Sequence, residues 1–423
     1  MNQHTQTILF FILCIIFLSG CSDNKTDANG LNQQAMVHVD LNPLPVPKGD
    51  SAEVQPDLGS QFNALAFDIN KHIETERNFV YSPFSLHSLL TALSLGAKGD
   101  TKKQLTAALR LPETDTQYDA YSAWLNQILS DGSGEYTQFH HASAIWTDAK
   151  FNLNESFVTA LKEQFHTQNQ VVDFVHYAAD VVDIINEWSN LNTNEMINNI
   201  VSQNDISQNT SMLLTCADSF NGRWATHFYP VQMTFYKPGS IIQSLNAIHY
   251  VPRTGYYYSS ELHYSAAQLS FLNKKFSMLF ILPHEVGGLN TLISKFTTQE
   301  FEKLIDGLEL QNINITIPKF KIDYKAEHIK NLFNQIGLSN TFSTSSDYSS
   351  LSDNSVIIDP ILTKASIEID REGTFSSVPI DMWQIEEGEP SNQVSFLADH
   401  PFAFAIIHNP TKSILFYGHY YGE

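Results

Sequence analysis

The stretch from Ser366 to His408 most narrowly constrains what this chain can fold into. It opens with a strand pattern rich in β-branched residues (Ile367, Ile369) that runs into Glu372-Gly373-Thr374. A connection without helical periodicity follows, and a second strand enters through Ala398-Asp399-His400-Pro401-Phe402. Long connections are usually lids or linkers with no pattern of their own. Here Thr374, Ser376, Val378, Ile380 and Met382 alternate with Phe375, Ser377, Pro379, Asp381 and Trp383. One face is therefore small to apolar and suited to burial in a sheet. The connection is written as a strand, which predicts a sheet elsewhere in the fold able to accept it.

The rest of the chain supplies such sheets. Apolar residues recur at helical spacing from Phe62 to Ile69 and from Ser85 to Leu95, and Asp100-Thr101 marks the start of a helix running to Leu109. Strand patterns fit His141 to Trp146 and Val171 to Val175, and helices fit 154–165 and Ala178 to Trp188. Beyond about 210 strands dominate, at 211–220, 230–236, 264–271, 277–282, 310–322, 356–370, 394–397, 402–408 and 413–418, with helices at 298–307 and 326–336. Helices first and strands later, without β–α alternation, predict an α+β fold with N-terminal helices and large, mostly antiparallel sheets.

Several short motifs occur in a fixed order. They are Asn78-Phe-Val-Tyr-Ser82-Pro83-Phe84-Ser85-Leu86 with Leu93-Ser-Leu-Gly96-Ala97-Lys98-Gly99, then Ile185-Asn186-Glu187-Trp188 with Thr193 and Ile197. Leu213 to Phe228, containing Phe220-Asn221-Gly222-Arg223-Trp224, follows, then Ile317-Pro318-Lys319-Phe320 and Ile414-Leu-Phe-Tyr-Gly418. Together they resemble the signatures of the serpin family, over roughly residues 58–423. The Ser366–His408 stretch is similar to that family's hinge and exposed C-terminal reactive-centre loop, here at about 373–393.

The resemblance implies a suicide substrate. A serine or cysteine protease cleaves the loop and becomes attached as an acyl-enzyme. The freed strand then inserts into the large sheet before water releases the enzyme. It implies a hinge at Arg371, Glu372, Gly373, Thr374, Ser376, Ser377, Val378 and Pro379, and sheet-gating roles for Ser82, Ser85, Cys216, Trp224 and Thr363. Counting along the loop puts the reactive bond at Glu387-Gly388, with Met382, Trp383 and Ile385 as alternatives. A Glu at that point suits a protease with a basic specificity pocket, Met382 or Trp383 a chymotrypsin-like pocket, and Ile385 an elastase-like one. Glu386, Glu387 and Glu389 also read simply as a solvated acidic tip.

The chain departs from the family pattern in places. Inhibitory members usually carry Glu at the position of Arg371 and small residues from Ser376 to Pro379. Cys216 stands where Asn is usual and Thr363 where His is frequent, so the bond that normally helps close the sheet is missing. Pro379 has no N–H and is disfavoured in a central strand, at about 2–4 kcal/mol. Against that, about ten new ladder bonds at roughly 0.5–1.5 kcal/mol each, and the burial of Val378, Ile380 and Met382 at roughly 1.5–3 kcal/mol each, favour insertion. The alternative is a non-inhibitory relative that proteases simply cleave.

Charge narrows the partners. With 24 basic against 45 acidic residues the net charge is −21, and residues 111–149 hold no Lys or Arg. That argues against nucleic acid or an anionic surface as partner, and against a sulfated polysaccharide on the helix near 117–129. The expected partner is a protease held covalently by a monomer, with no cofactor.

The N-terminus reads as a targeting segment. The apolar run Ile8 to Leu18 and then Leu18-Ser19-Gly20-Cys21 resemble a bacterial lipoprotein signal, residues 1–20, with lipidation at Cys21. No Lys or Arg precedes the run, and Ser22 resembles the outer-membrane type. The expectation is an exported lipoprotein at the outer membrane or cell surface, touching membrane only through its lipid, with residues 21–57 as a flexible tether to a domain at 58–423. Loss of Cys14 with the signal and lipidation of Cys21 leave Cys216 alone, read as a buried thiol. No metal spacing suits His140-His141 or His284-Glu285, and neither a Gly-x-Ser-x-Gly elbow nor a phosphate-binding glycine loop occurs.

Overall fold

The computed structural model describes residues 26, 29–48, 57–73, 76–111, 116–326, 329–352, 358–371, 373–374 and 393–423. In chain order it begins with β1 (Met36–His38), α1 (Asp57–Asn70), β2 (Phe79–Tyr81), α2 (Pro83–Gly96), α3 (Gly99–Ala108) and α4 (Thr116–Asp131). Next come β3 (Thr137–Asp148), α5 (Glu155–Phe165), β4 (Gln168–Val172), α6 (Phe174–Asn192) and β5 (Met212–Arg223). Five strands follow, β6 (Tyr229–Lys237), β7 (Ile241–Tyr250), β8 (Arg253–Ser259), β9 (Tyr264–Ser270) and β10 (Phe276–Pro283), then α7 (Leu289–Lys295) and α8 (Thr298–Asp306). The last third holds β11 (Glu309–Pro318), β12 (Phe320–Lys325), α9 (Ile329–Gln335), β13 (Ile358–Ile369) and β14 (Gly373–Thr374). It closes with β15 (Val394–Leu397), β16 (Phe402–His408) and β17 (Ser413–Tyr420).

The strands make two sheets. The first runs β1-β4-β3-β5-β13-β12, with β14 also on β5; the second runs β2-β17-β16-β10-β9-β8-β11-β7-β6, with β15 on β11. The main core lies between the sheets and includes α2, whose residues are buried on every side except at Leu95. α2 is buried all round even though Ser85, His87, Ser88, Thr91 and Ser94 are polar, and four of these five side chains find hydrogen-bond partners inside. Its start is fixed by Ser82, whose side chain accepts the Ser85 N–H, with Pro83 in the first turn. A second core lies on the opposite face of the first sheet, where Val181, Ile184, Ile185 and Trp188 of α6 cover Trp146, Leu213 and Ala217.

The architecture is the expected α+β one; element ends shift, most at Phe174 and Val175, which begin α6 instead of ending the expected strand, and four further local readings change. The run 310–322 is two strands in different sheets, broken at Lys319, because alternation alone cannot register a change of sheet. The strands β7 and β8 and the helix α7 were not separable from their polar neighbours in sequence. Thr101 does not cap α3, since its hydroxyl accepts the Asp347 N–H instead.

The fourth change concerns the segment expected to be a tether. Residues 29–48 dock on the first sheet: β1 pairs antiparallel with β4, and Leu31 and Ala35 are buried in the second core. The Asp40 N–H donates to Gln170 Oε1 at 2.8 Å, while the side-chain amides of Gln168 and Gln170 donate to the Asp40 carbonyl. Asn192 on α6 donates to the Leu41 carbonyl at 2.9 Å. Two buried apolar side chains and a set of satisfied backbone groups explain why a polar-looking segment is ordered.

Candidate functional site

The seam between β5 and β13 is where the first sheet changes character. The two strands pair in parallel from Ile358 opposite Met212 up to Ser366 opposite Ser219. Above that point β13 keeps β12 as its neighbour through Ile369, while the top of β5 takes a different partner, β14. Gly373 lies opposite Arg223 and Thr374 opposite Gly222, antiparallel to β5.

A tight turn delivers those two residues. The Asp370 N–H donates to the Gly373 carbonyl at 3.0 Å, and the Gly373 N–H donates back to Asp370 Oδ1 at 3.1 Å. Gly373 has φ +142°, and a Cβ there would sit 1.9 Å from the Gly222 carbonyl oxygen, so only glycine fits. Trp224 pins the turn from below: its indole N–H donates to the Asp370 carbonyl at 2.9 Å, and its ring stacks on Phe271 with centroids 4.8 Å apart.

Lower down, Cys216 and Thr363 face each other across the seam. Among the described residues no hydrogen bond joins their side chains. The first turn of α2 lies beneath, and a void of about 10 Å³ is lined by Ser82, Ser85, Cys216, Asp218, Tyr324 and Thr363 among others. The Cys216 thiol donates to the Ser85 carbonyl at 3.7 Å, and burial, helped by the charge of Asp218, pushes it far above its ordinary pKa. It is a protonated, inert packing group.

The polar contact under the seam is built from other residues. His141 on β3 and Asp218 on β5 are direct partners in the ladder, and both side chains are buried. The Ser85 hydroxyl donates to Asp218 Oδ2, and His141 Nδ1–H donates to Asp218 Oδ1 at 2.9 Å while lying 3.0 Å from Ser85 Oγ. His141 Nε2 has no partner among the described residues. Both contacts use one ring nitrogen and the cluster is closed to solvent, so it cannot work as a nucleophile–base pair.

The structure thus gathers Ser82, Ser85, Cys216 and Thr363 around one void and puts Trp224 at the far, upper end of the seam. Arg371, Gly373 and Thr374 lie at the mouth of the seam, Arg371 exposed. Glu372, Ser376, Ser377, Val378, Pro379, Met382, Trp383, Ile385, Glu387, Gly388 and Cys21 lie outside the described residues. Among the described residues no cluster of His, Cys, Asp or Glu could hold a metal, and no helix is long and apolar enough to cross a membrane.

The two-residue strand β14 thus stands at the head of the parallel seam between β5 and β13. The family model "Serpin (serine protease inhibitor)" matches residues 60–422. The chain belongs to the serpin family. Among curated relatives it is 29% identical over 373 residues to "Intracellular coagulation inhibitor 2" of Tachypleus tridentatus, covering 86% of this chain and 90% of that one. It is 27% identical to human "Serpin I2", over 81% of this serpin and 85% of its relative. Among solved structures, Serpin48 of the insect Tenebrio molitor superposes with a TM-score of 0.77 at 24% identity, over 88% and 99% of the two chains, which shows the shared fold.

Sequence reasoning missed His141 and Asp218 in this serpin. Metal spacing alone takes no account of the strand, on which the neighbours His140 and His141 point to opposite faces and His141 takes the buried one. The usable signal was Asp218 itself, a carboxylate inside the apolar run Leu213 to Phe220. A buried charge demands a partner.

Proposed function

We propose that this serpin is a suicide-substrate inhibitor of serine or cysteine endopeptidases. One observation supports this above all: Gly373 and Thr374 are already paired with the top of β5 in the direction and register that an inserting strand requires. Continued downward, that register sets Ser376 opposite Phe220, Val378 opposite Asp218, Ile380 opposite Cys216 and Met382 opposite Leu214. Phe220, Cys216 and Leu214 belong to the main core, so the small-to-apolar face of the loop turns inward. In the inserted form Ser377 and Pro379 would meet Ser219 and Ala217 on the face toward α6.

The chemistry belongs to the protease. Its nucleophile attacks the carbonyl of the reactive bond, read as Glu387-Gly388, and releases the amine of Gly388 while the acyl group stays on the enzyme. Insertion then competes with hydrolysis. The name of the Tachypleus relative, a coagulation inhibitor, agrees with such a role. The Cys216–Thr363 seam, without a side-chain bond, favours rapid opening, whereas Arg371 and Pro379 slow the hinge. Export as a lipoprotein anchored at Cys21, facing periplasm or medium, is part of the same reading. Labelled fatty acid incorporated by the wild type and not by Cys21→Ser tests it.

The inhibitor reading is tested by incubating the purified protein with a panel of proteases of different pocket chemistry. Inhibition gives a covalent complex that survives boiling in detergent. Cleaved serpin with fully active protease throughout the panel supports the non-inhibitory alternative.

A further inference from the structure

We infer that Ser85, His141 and Asp218 form the latch that governs opening of the β5–β13 seam, with the restraint lying between the sheet and α2 instead of across the seam. This rests on the strand-insertion reading above.

The geometry is specific. Admitting a strand between β5 and β13 separates them by one further strand spacing, about 4.8 Å. α2 packs against β17 of the second sheet as well as against β5, so it does not travel freely with the moving half of the first sheet. β3 and β5 are bound to each other along eleven paired positions, Thr137 opposite Gly222 through Thr147 opposite Met212, and move as one unit. Among the described residues Cys216 and Thr363, at the centre of the seam, share no side-chain hydrogen bond, and the Cys216 thiol makes only a weak, long contact with the Ser85 carbonyl, 3.7 Å away. Among the described residues, the polar side-chain cluster that joins the moving strands to α2 at this point is Ser85 with Asp218 and His141. A displacement of about 4.8 Å is longer than any hydrogen bond, so the Ser85 contacts must part as the seam opens.

The cluster is costly to part. Asp218 is buried and accepts from both Ser85 and His141, so separation strips one donor from a carboxylate that water cannot reach. His141 and Asp218 are thus positioning residues for insertion: they touch no substrate and act through Ser85. Because β3 and β5 travel together, the His141–Asp218 contact itself survives opening. The same register that sets Val378 opposite Asp218 brings an apolar side chain to the place the Ser85 hydroxyl leaves.

The test uses uptake of a synthetic peptide with the sequence of residues 374–385 by the intact full-length protein. The proteins are wild type, Ser85→Ala, Asp218→Asn and His141→Gln. Ser85→Ala and Asp218→Asn are expected to take up the peptide about tenfold or more faster than wild type. His141→Gln keeps an amide donor toward Asp218 and should fall between them and wild type. A merely structural role would lower the melting temperature of the intact and loop-cleaved forms equally. A latch lowers that of the intact form more. If Asp218→Asn does not fold, Ser85→Ala, the loss of one hydroxyl, carries the comparison. Uptake within twofold of wild type in the variants, with wild type itself accepting peptide, overturns the latch. If wild type accepts no peptide and gains no stability on cleavage, the insertion reading fails and the latch fails with it.

Discussion

Thr374 is paired through its backbone with Gly222, one residue short of the end of β5 and antiparallel to it. The turn before it depends on Gly373, whose φ of +142° and contact with the Gly222 carbonyl exclude a side chain. Gly373→Ala should lift β14 from β5 and delay insertion. In a protease assay the ratio of covalent complex to cleaved product should fall at least several-fold. An unchanged ratio would show that the initial pairing has no part in the race.

Pro379 and Val378 should act in opposite directions. Pro379→Ala restores a ladder N–H opposite Ala217 and removes about 2–4 kcal/mol of penalty from the inserted form, so the complex-to-product ratio should rise. Val378→Glu sets a second carboxylate opposite Asp218 in the buried face, and insertion should be lost. Gel quantification of complex and cleaved chain checks both. Equal ratios for the two variants would contradict the register.

The docked segment before α1 is a stability element. A chain beginning at Asp57 loses β1 and the burial of Leu31 and Ala35. It should be less stable in the intact form by roughly 3 kcal/mol from the apolar burial alone. Guanidinium unfolding of the two lengths measures this. Identical midpoints would return residues 29–48 to the role of a slack tether.

Much of this was legible in the sequence because it rests on local pattern. The α+β order follows from where helical and strand periodicity fall along the chain. The edge strand β1 was not legible, since three residues flanked by polar ones carry no periodicity and owe their order to β4 and α6. Nor was the Ser85–His141–Asp218 cluster, whose members lie far apart in the chain. Only the ladder pairing of β3 with β5 over the start of α2 brings them together.

Acid should destabilise the fold in a definite window. Burial pushes His87 and His419 down to about 3, and burial with the charge of His141 pushes His166 to about 4. Unfolded, each returns to about 6.5, so below that pH the unfolded chain binds more protons and stability falls down to the folded values. Each group contributes about 1.4 kcal/mol per pH unit in that window. Unfolding free energy at pH 5.5 should lie roughly 4 kcal/mol below its value at pH 7.5. His419→Gln should reduce that slope by about a third, and a flat profile would mean these rings are not held neutral.

The central claim is that the intact protein sits above its lowest free energy, with a place in the first sheet kept for residues 374–385. The most direct measurement is thermal unfolding before and after a single cut in the 375–392 segment. Insertion predicts a rise of tens of degrees in the cleaved form. An unchanged melting temperature in a chain shown by mass spectrometry to be cut there contradicts it.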